Sequence, residues 1–305
     1  MKTNSTKKFF SDSIFASMPG FISIFLSLFA IPIHLKFAGT THYGQYIFLH
    51  LISSLGLLLN LGIGKITSIN IAKHKNSNRI AYNGLKITLR NCSIVLILII
   101  FFYIANIFLN LIPQESLILM AASILLTIFF VTLESIVVGN RIFQVLMFIN
   151  LFYYGCSFSI PSIFLLVQYY DYQITFLGSL LIKLIVVLFS VIFLVKNNYI
   201  KFHKLKNYTK FKSAKWFSIS LLLIQIYDFA DKYLIKTILG PAALAIYYVP
   251  QQLSGKLTIL SKGFSSVLLP SISYTEQRKT QNNDLLITIK LFTFILPVIL
   301  FFLFY

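Results

Sequence analysis

The sequence predicts an all-α, polytopic membrane protein, and three observations carry that prediction. Hydrophobic residues make up 57% of the 305 residues and charged residues only 11%, whereas a soluble domain has about 25% charged residues. The apolar residues form long continuous runs rather than the short alternating segments of a membrane β-barrel. The basic residues gather in certain connections between these runs, as orientation signals do.

About nine apolar segments follow one another along the chain, and each is long enough to cross the bilayer once as a helix. The basic N-terminus precedes an apolar run that Asp12 interrupts and that lacks a small-residue cleavage site. We therefore expect a retained first span and not a signal peptide. The predicted spans are 12–35, 43–64, 91–112, 116–139, 142–167, 173–195, 215–239, 242–269 and 286–305.

The connections alternate between basic and nearly uncharged. Because Lys and Arg are enriched in cytoplasmic loops, the N-terminus and every basic connection are predicted to lie in the cytoplasm. This pattern accounts for the net charge of +18 and makes nucleic acid an unexpected partner. Apolar residues between the lysines of 65–90 predict either a helix against the lipid headgroups or an ordinary solvated connector. The basic set is the N-terminus, 65–90, Arg141, 196–215 and 271–285, and the other set is 36–42, 113–115, 168–172 and 236–241.

The basic connection 196–215 divides the predicted spans into six and three. We predict a six-helix N-terminal lobe over 1–200 and a partial, three-helix C-terminal lobe over 201–305 around a central cavity. Gly39 precedes Tyr46 and Gly240 precedes Tyr247 by the same spacing, each at the turn after an odd-numbered span. This echo suggests a parallel repeat, although two matched pairs also arise by chance.

Charged side chains inside the apolar segments are the candidate functional residues, since a charge in hydrocarbon must face protein or a water-filled cavity. Asp228 and Lys232 of the seventh span are four residues apart, so they share a helix face and can pair. Gln252 and Lys256 share a face of the eighth span in the same way. Lys262 lies nearer the inner end and is expected to reach the cytoplasmic surface. The candidate lumen residues are Lys183, Asp228, Asp231, Lys232, Gln252 and Lys256.

Three further polar residues have both a functional and a structural interpretation. Lys183 of the sixth span has no acidic residue at helical spacing, so it either faces the lumen or pairs with Glu134 of the fourth span. Glu134 is a candidate coupling-ion site, although a lone intramembrane Glu is more often protonated or paired. His34 at the end of the first span is predicted to be an interfacial polar residue and not a proton relay.

Proline and the absence of catalytic motifs complete the prediction. Pro19, Gly20 and Pro250 are hinge candidates because proline removes a backbone donor and bends a helix, although proline is common in membrane helices.

The sequence has no Gly-rich phosphate loop, nucleophile elbow or clustered metal ligands, and Cys92 and Cys156 form no zinc or redox motif. We therefore expect no enzymatic activity, no cofactor and no bound metal.

Two stretches carry a resemblance to a known family. One is the glycine-rich segment 39–74, and the other joins the acidic–basic step Asp231–Lys232 to Gly240, Tyr247 and the Pro270–Ser271 pair. In these features the chain resembles the bacterial O-antigen and polysaccharide flippases (Wzx-like proteins) of the multidrug/oligosaccharidyl-lipid/polysaccharide exporter superfamily. The resemblance implies two six-helix lobes around a cavity that opens alternately to each side of the bacterial inner membrane.

The same resemblance implies the cargo, a polyprenyl-pyrophosphate-linked oligosaccharide used in O-antigen, capsule or lipopolysaccharide biosynthesis. It also implies partners among the polymerase and chain-length proteins of polysaccharide assembly. A pyrophosphate loses its hydration in the membrane core, so cationic groups must offset that loss. Lys183, Lys232 and Lys256 are the groups available. Because the chain has about nine spans, we expect an incomplete second lobe or a truncated gene.

Three alternative functions remain open at the level of sequence. A cation-coupled drug exporter of the same superfamily would have acidic residues dominating its cavity, whereas lysines here at least equal the acids. A membrane enzyme such as an O-antigen polymerase would resemble a pattern with a large outer loop, and the outer connections here are short. A non-functional truncated flippase is the third alternative.

Overall fold

The computed structural model describes residues 3–73, 77–109, 114–167, 171–200 and 214–256, and these residues form only helices and turns. The all-α prediction is therefore confirmed. The helices are α1 (Thr3–Phe37), α2 (Gly39–Leu59), α3 (Ile63–Lys73), α4 (Ser77–Leu109), α5 (Gln114–Gly139), α6 (Phe143–Asn150), a π-helix (Leu151–Cys156), α7 (Ser157–Ser159), a 3₁₀ helix (Ile160–Val167), α8 (Tyr172–Lys196), α9 (Ala214–Leu239) and α10 (Pro241–Lys256).

The described residues include five helices that are long and apolar enough to cross a bilayer, and the bent pair α2–α3 makes a sixth. They overlap the first six predicted spans, although the helix of the third begins at Ser77 and not at 91. α9 covers the predicted seventh span but is less apolar because of its charged residues, and α10 covers the first half of the eighth. The ninth span, Lys262, Pro270–Ser271 and the predicted lobe boundary at 200/201 lie wholly or partly outside the described residues.

A bend of 49° separates α2 from α3 and falls inside the predicted second span, 43–64. The chain turns through Leu61 and Gly62, whose φ angles of 52° and 67° are left-handed. The Asn60 side chain holds this bend, because its Nδ2 donates to Ile128 O at 2.9 Å while its Oδ1 accepts from Gly64 N at 2.9 Å. The first half of 65–90 is a helix that follows the second span and packs on α4 and α5, and the second half belongs to α4. Contact of this connection with lipid headgroups stays a prediction.

The centre of the bundle is α5, which packs against α2, α3, α4, α6 and α8. Small residues allow this close packing: a Cβ on Gly56 would lie 2.6 Å from Thr127 Cβ, and one on Gly64 would lie 2.6 Å from Ser135 Oγ. Close approach at small residues is the usual way in which helices associate in lipid. By contrast, α4 exposes apolar side chains such as Phe101 along its outer face, as expected for a lipid contact.

Two helical hairpins pack against each other at one end of the bundle. The first hairpin is α1, Gly39 and α2, and the second hairpin is α9, Gly240 and α10. Both glycines adopt left-handed φ angles, 79° and 87°, which glycine tolerates best. The backbones meet so closely that a Cβ on Gly44 would lie 1.8 Å from Pro241 O. The matched glycines seen in the sequence therefore occupy equivalent turns of two contacting hairpins.

The hinge candidates lie inside unbroken helices. α1 continues through Pro19 and Gly20, and α10 continues through Pro250. The Ser23 hydroxyl donates to Gly20 O at 2.7 Å beside the first of these sites. Bending at these positions during transport stays a prediction. Asp12, within the first third of α1, forms an ion pair with the α5–α6 turn, where Arg141 Nη2 lies 3.4 Å from Asp12 Oδ2.

Candidate functional site

The fifth span is irregular at the point where it borders the interior. α6 passes into the π-helix Leu151–Cys156, and a 3₁₀ helix follows α7. π-helical turns are uncommon and often occur at functional sites. Here the π-helix brings Tyr153 onto Phe130, with ring centroids 3.6 Å apart and planes parallel within 1°. The neighbouring Tyr154 meets the same phenylalanine edge-on.

A polar cavity of about 180 Å³ lies among α1, α2, α5, the π-helix, α7, α8 and α10. Two of its residues, His50 and Lys183, each lie eleven residues from the start of their helix, at Gly39 and Tyr172. At ~1.5 Å per residue this is about 17 Å, near the middle of a ~30 Å hydrocarbon core. The serine and threonine residues that line it are Ser27, Ser53, Ser54, Thr127 and Ser157, and three tyrosines line it as well.

Lys183 is the charged residue of the polar cavity. Its side chain is only 5% exposed, and its Nζ donates to Ser53 Oγ at 3.0 Å. Ser53 Oγ lies 3.3 Å from Thr127 Oγ1, which accepts from Tyr153 OH at 2.9 Å. Among the described residues, no carboxylate lies within ion-pair distance of Lys183. An ammonium has three donors, so two N–H groups remain available to water or a ligand.

Glu134 lies elsewhere, and the predicted Lys183–Glu134 pair is wrong. Glu134 Oε1 accepts a hydrogen bond from Asn150 Nδ2 at 2.8 Å, at the junction of α6 and the π-helix. Glu134 interacts electrostatically with Lys65 at the start of α3. α5 and α8 pack against each other, so the helix faces decide this outcome: Glu134 lies toward Asn150 and Lys65, whereas Lys183 contacts Ser53 of α2. Coupling-ion binding at Glu134 stays a prediction.

α10 contributes two residues to the polar cavity, Tyr248 and the predicted lumen residue Gln252. The Oε1 atom of Gln252 is buried and accepts no hydrogen bond from the described residues. A buried amide oxygen without a donor is costly unless water or a ligand supplies one. Lys256 follows Gln252 by one turn of α10, but its side chain lies outside the described part of the chain.

Asp231 and Lys232 form a separate cluster on the second hairpin. Lys232 is 6% exposed and its Nζ lies 3.6 Å from Asp231 Oδ1. The other carboxylate oxygen of Asp231 accepts from Tyr247 OH at 2.7 Å. Lys232 thus has an acidic partner and does not line the polar cavity. The predicted Asp228–Lys232 pair stays untested, because the Asp228 side chain lies outside the described residues.

Two histidines of the first hairpin contact Tyr46. His34 was predicted to be an interfacial polar residue, and its depth in the membrane stays a prediction; in the structure it is 2% exposed and stacks on Tyr46 with ring centroids 4.7 Å apart. His50 was not singled out, yet it lines the polar cavity and contacts Tyr46 edge-on at 4.6 Å. The one available signal was that His42, Tyr46 and His50 recur every four residues, which places them on one face of α2.

A second, wholly apolar groove of about 470 Å³ lies on the opposite side of the fifth span. Phe148 and Phe152 face it from that span, and Ile185 and Phe189 face it from α8. Consecutive residues of the π-helix therefore face a lipid-like environment (Phe152) and the polar cavity (Tyr153). The fifth span separates the two environments.

Comparisons with solved structures identify the fold of the chain. No protein-family model matches the chain, and no curated protein matches it. Among solved structures, one described as protein A superposes over 97% of this chain and 72% of its own, with a TM-score of 0.70 and 14% identity. A MOP-superfamily transporter from Pyrococcus furiosus, described as having a binding pocket of reverse polarity that suggests a different function, gives a TM-score of 0.63 at 14% identity.

The outward-facing structure of a multidrug resistance MATE-family transporter gives the same TM-score of 0.63 at 14% identity. Each of these two alignments covers 90% of this chain and 66% of the transporter. The chain thus spans about two thirds of the length of these transporters. Identities this low establish the fold alone. The chain is a multi-pass membrane protein with the helical fold of the MATE-type transporters of the MOP superfamily.

Proposed function

We propose that this chain forms part of a transporter that moves a polyprenyl-pyrophosphate-linked oligosaccharide, an O-antigen or capsule repeat unit, across the bacterial inner membrane. The observation that carries the proposal is Lys183, a buried ammonium in a mid-membrane polar cavity with one hydrogen bond and no carboxylate partner among the described residues. Alternating access of two lobes, with the N-terminus in the cytoplasm, completes the proposed mechanism.

The charge of Lys183 favours an anionic cargo. A buried ammonium is costly to keep in a low-dielectric interior unless an opposite charge joins it. A cargo phosphate supplies that charge together with acceptor oxygens for the two N–H groups that Ser53 does not use. A cationic drug would instead meet repulsion from the same ammonium.

The uncharged lining favours a sugar next to that phosphate. The hydroxyl groups of Ser54 and Ser157 and the free amide oxygen of Gln252 can exchange hydrogen bonds with sugar hydroxyls. Aromatic rings of Tyr154 and Tyr248 supply flat apolar surface beside them. A volume near 180 Å³ holds about six waters at ~30 Å³ each, so it fits one phosphate or one sugar at a time.

The remaining predicted lumen residues belong to the proposal as residues that act at other stages of transport. Lys256 lies one turn beyond Gln252, and we propose it as a second cation for the pyrophosphate. Asp228, Asp231 and Lys232 lie on α9, and we propose that they meet cargo only when the second hairpin moves. The polyprenyl tail would remain in lipid while the head group passes through the lumen.

A cation-coupled drug exporter is the second candidate function. It is favoured by the multidrug MATE-family transporter among the structural neighbours, and Glu134 would be its coupling residue. The lysine in the polar cavity disfavours it. The description of the Pyrococcus furiosus transporter links pocket polarity to a different function within this fold. Pocket charge is therefore the property that separates the two candidates.

The test compares Lys183→Met with Lys196→Met, a matched control at the exposed end of the same helix. Binding of inorganic pyrophosphate to the full chain is measured by isothermal titration calorimetry. We expect Lys183→Met to weaken binding by about tenfold or more, since removing a buried charge partner costs over about 1.4 kcal/mol. The amount of surface polysaccharide on the source bacterium should fall in the Lys183→Met variant as well. Equal binding by both variants, or export of a cationic dye by the wild type, would count against the proposal.

A further inference from the structure

A chain of hydrogen bonds runs from the lysine of the polar cavity to the backbone of α5. Lys183 Nζ donates to Ser53 Oγ at 3.0 Å, and Ser53 Oγ lies 3.3 Å from Thr127 Oγ1. The Thr127 hydroxyl donates to the backbone carbonyl of Ser123 at 2.8 Å, one turn earlier in α5. The chain therefore links α8, α2 and α5 through three buried side chains.

The direction of each hydrogen bond in this chain follows from the number of protons available. A hydroxyl group has one proton to donate and two lone pairs with which to accept. Thr127 uses its proton on the Ser123 carbonyl, and its oxygen accepts from Tyr153 OH at 2.9 Å. The Ser53 hydroxyl is therefore the donor toward Thr127, which leaves the Ser53 oxygen to accept from Lys183. Each bond from Lys183 to Thr127 thus donates toward α5.

This direction favours the ammonium form of Lys183 over the neutral amine. Ser53 has no proton left for the lone pair of an amine, whereas its oxygen accepts strongly from a charged donor. A hydroxyl that donates to a neighbour is also a better acceptor. Two aromatic rings add to the preference, because Nζ lies 5.6 Å from the centroid of the Tyr153 ring and 6.0 Å from that of Phe176.

The other groups around Lys183 supply no negative charge near neutral pH. Within the described ranges, no carboxylate lines the polar cavity. Lys183 and His50 interact electrostatically, and a proton on His50 would oppose the ammonium. Neutral acceptors and aromatic rings therefore hold the charge. The titratable groups that share the polar cavity with Lys183 are His50 from α2, Tyr153 and Tyr154 from the π-helix and Tyr248 from α10.

We propose that Thr127 and Ser53 are positioning residues for the ammonium of Lys183 and, through it, for the anionic part of the cargo. The chain occupies one N–H group of Lys183 and leaves the other two to the polar cavity. It also holds the charge without a carboxylate that would neutralise it, so an anion in the cavity meets a full positive charge. Lys232, which lies 3.6 Å from Asp231 Oδ1, has the opposite arrangement. The inference rests on the proposed function and assigns the residues that set its selectivity for anions.

The chain of hydrogen bonds is tested without cargo, by acetylation of the full chain in lipid nanodiscs with limiting acetic anhydride, followed by peptide mass spectrometry. The reagent reacts with the neutral amine alone, so the labelling rate of each lysine at fixed pH reports its neutral fraction. Thr127→Val removes the hydroxyl and keeps the branched shape, and we expect Lys183 to react about tenfold faster. Thr127→Ser restores the hydroxyl and should return the rate to within about twofold of the wild type.

Two controls separate positioning from a general loss of packing. Lys232 is buried to the same extent but has Asp231 as its partner, so its labelling rate should not change in either Thr127 variant. Ser123→Ala removes another buried hydroxyl of α5 but keeps the backbone carbonyl at the end of the chain. We expect the labelling rate of Lys183 to stay the same in this variant.

Binding of inorganic pyrophosphate, measured by calorimetry, gives the second readout. Thr127→Val should weaken it by about tenfold and Thr127→Ser by less than about twofold. Equal labelling of Lys183 in these two variants, an equal increase at Lys232, or no labelling of Lys183 up to about pH 10 would overturn the inference. A wild type that binds no pyrophosphate, although Lys183 responds to Thr127→Val, would instead refute the proposed cargo and leave the role of Thr127 at Lys183 standing.

Discussion

The two hairpins have the same kind of turn, but their side chains make different contacts. Each turns at a left-handed glycine, Gly39 or Gly240, and each carries a tyrosine seven residues later. Tyr46 is fully buried and donates to Phe158 O, whereas Tyr247 is 39% exposed and donates to the Asp231 carboxylate. The glycine turn sets how the helices meet, and the neighbours of each helix decide what its side chains do.

The same contrast separates the lysines. Lys183 and Lys232 are equally buried, at 5% and 6% exposed. Lys232 of the second hairpin lies beside Asp231, while Lys183 contacts the first hairpin through the hydroxyl of Ser53. Burial of a lysine therefore does not mark a binding group by itself. The absence of a neighbouring acid among the described residues distinguishes Lys183.

The largest effect is expected where the hairpins touch. Gly44→Leu would place side-chain atoms against the Pro241 carbonyl, where even a Cβ would lie 1.8 Å from the oxygen. Because both partners there are backbone, we expect a loss of about 3 kcal/mol or more. Thermal unfolding in detergent, followed by size-exclusion chromatography, measures the effect.

Gly39→Asn is the matched control for that variant. Gly39 is left-handed, but a Cβ added to it would meet no atom within 4 Å, and asparagine tolerates this conformation. We expect a change below about 1 kcal/mol. Equal destabilisation by the two variants would show that the turn, and not the contact between hairpins, sets stability.

An intermediate effect is expected from the matched tyrosines. Tyr46→Phe leaves the buried Phe158 carbonyl without its donor and should cost about 1–2 kcal/mol. Tyr247→Phe frees an Asp231 oxygen that solvent or lipid headgroups can reach, so its cost should stay within about 0.5 kcal/mol. Unfolding midpoints of the two variants, measured side by side, give the comparison. A larger loss for Tyr247→Phe would show that burial of the hydroxyl does not decide the cost.

The smallest effect concerns a contact that joins the hairpins at their edge. Lys236 Nζ lies 4.0 Å from the centroid of the Phe48 ring, a cation–π geometry. Lys236→Met should lose about 0.5–1 kcal/mol of stability. Phe48→Leu should lose the same cation–π contribution in addition to the cost of its lost packing. The double variant should lose that shared contribution only once. Full additivity in this cycle would mean that the two groups do not interact.

Hydropathy and loop charge were sufficient to predict the helical class and the first six spans. Long apolar segments in lipid must form their backbone hydrogen bonds within the segment. A run such as 173–195 therefore forms a helix, here α8. The break after Leu59 was not predicted, because it depends on Asn60 binding α5. A contact across 68 residues leaves no local periodicity to read.

The candidate site was less accessible from sequence. Helical spacing placed Gln252 on a polar face of α10. It could not show that Gln252, Tyr248 and Lys183 line the same cavity. His34 was predicted to be interfacial because it lies near the end of an apolar run. Its burial could not be predicted, because it depends on the rings of Tyr43 and Tyr46, which pack against it from the other helix of the first hairpin.

The π-helix at Leu151–Cys156 makes the fifth span sensitive to its residue count. A π turn holds one residue more than an α turn can accommodate, so deleting a single residue there would restore regular winding. The helical segments on either side would keep their orientation, and only the six residues of the π-helix would change the direction in which they point. Tyr153 would then lose its stacking on Phe130 and its place beside Lys183. The position of this tyrosine at the polar cavity thus depends on one inserted residue.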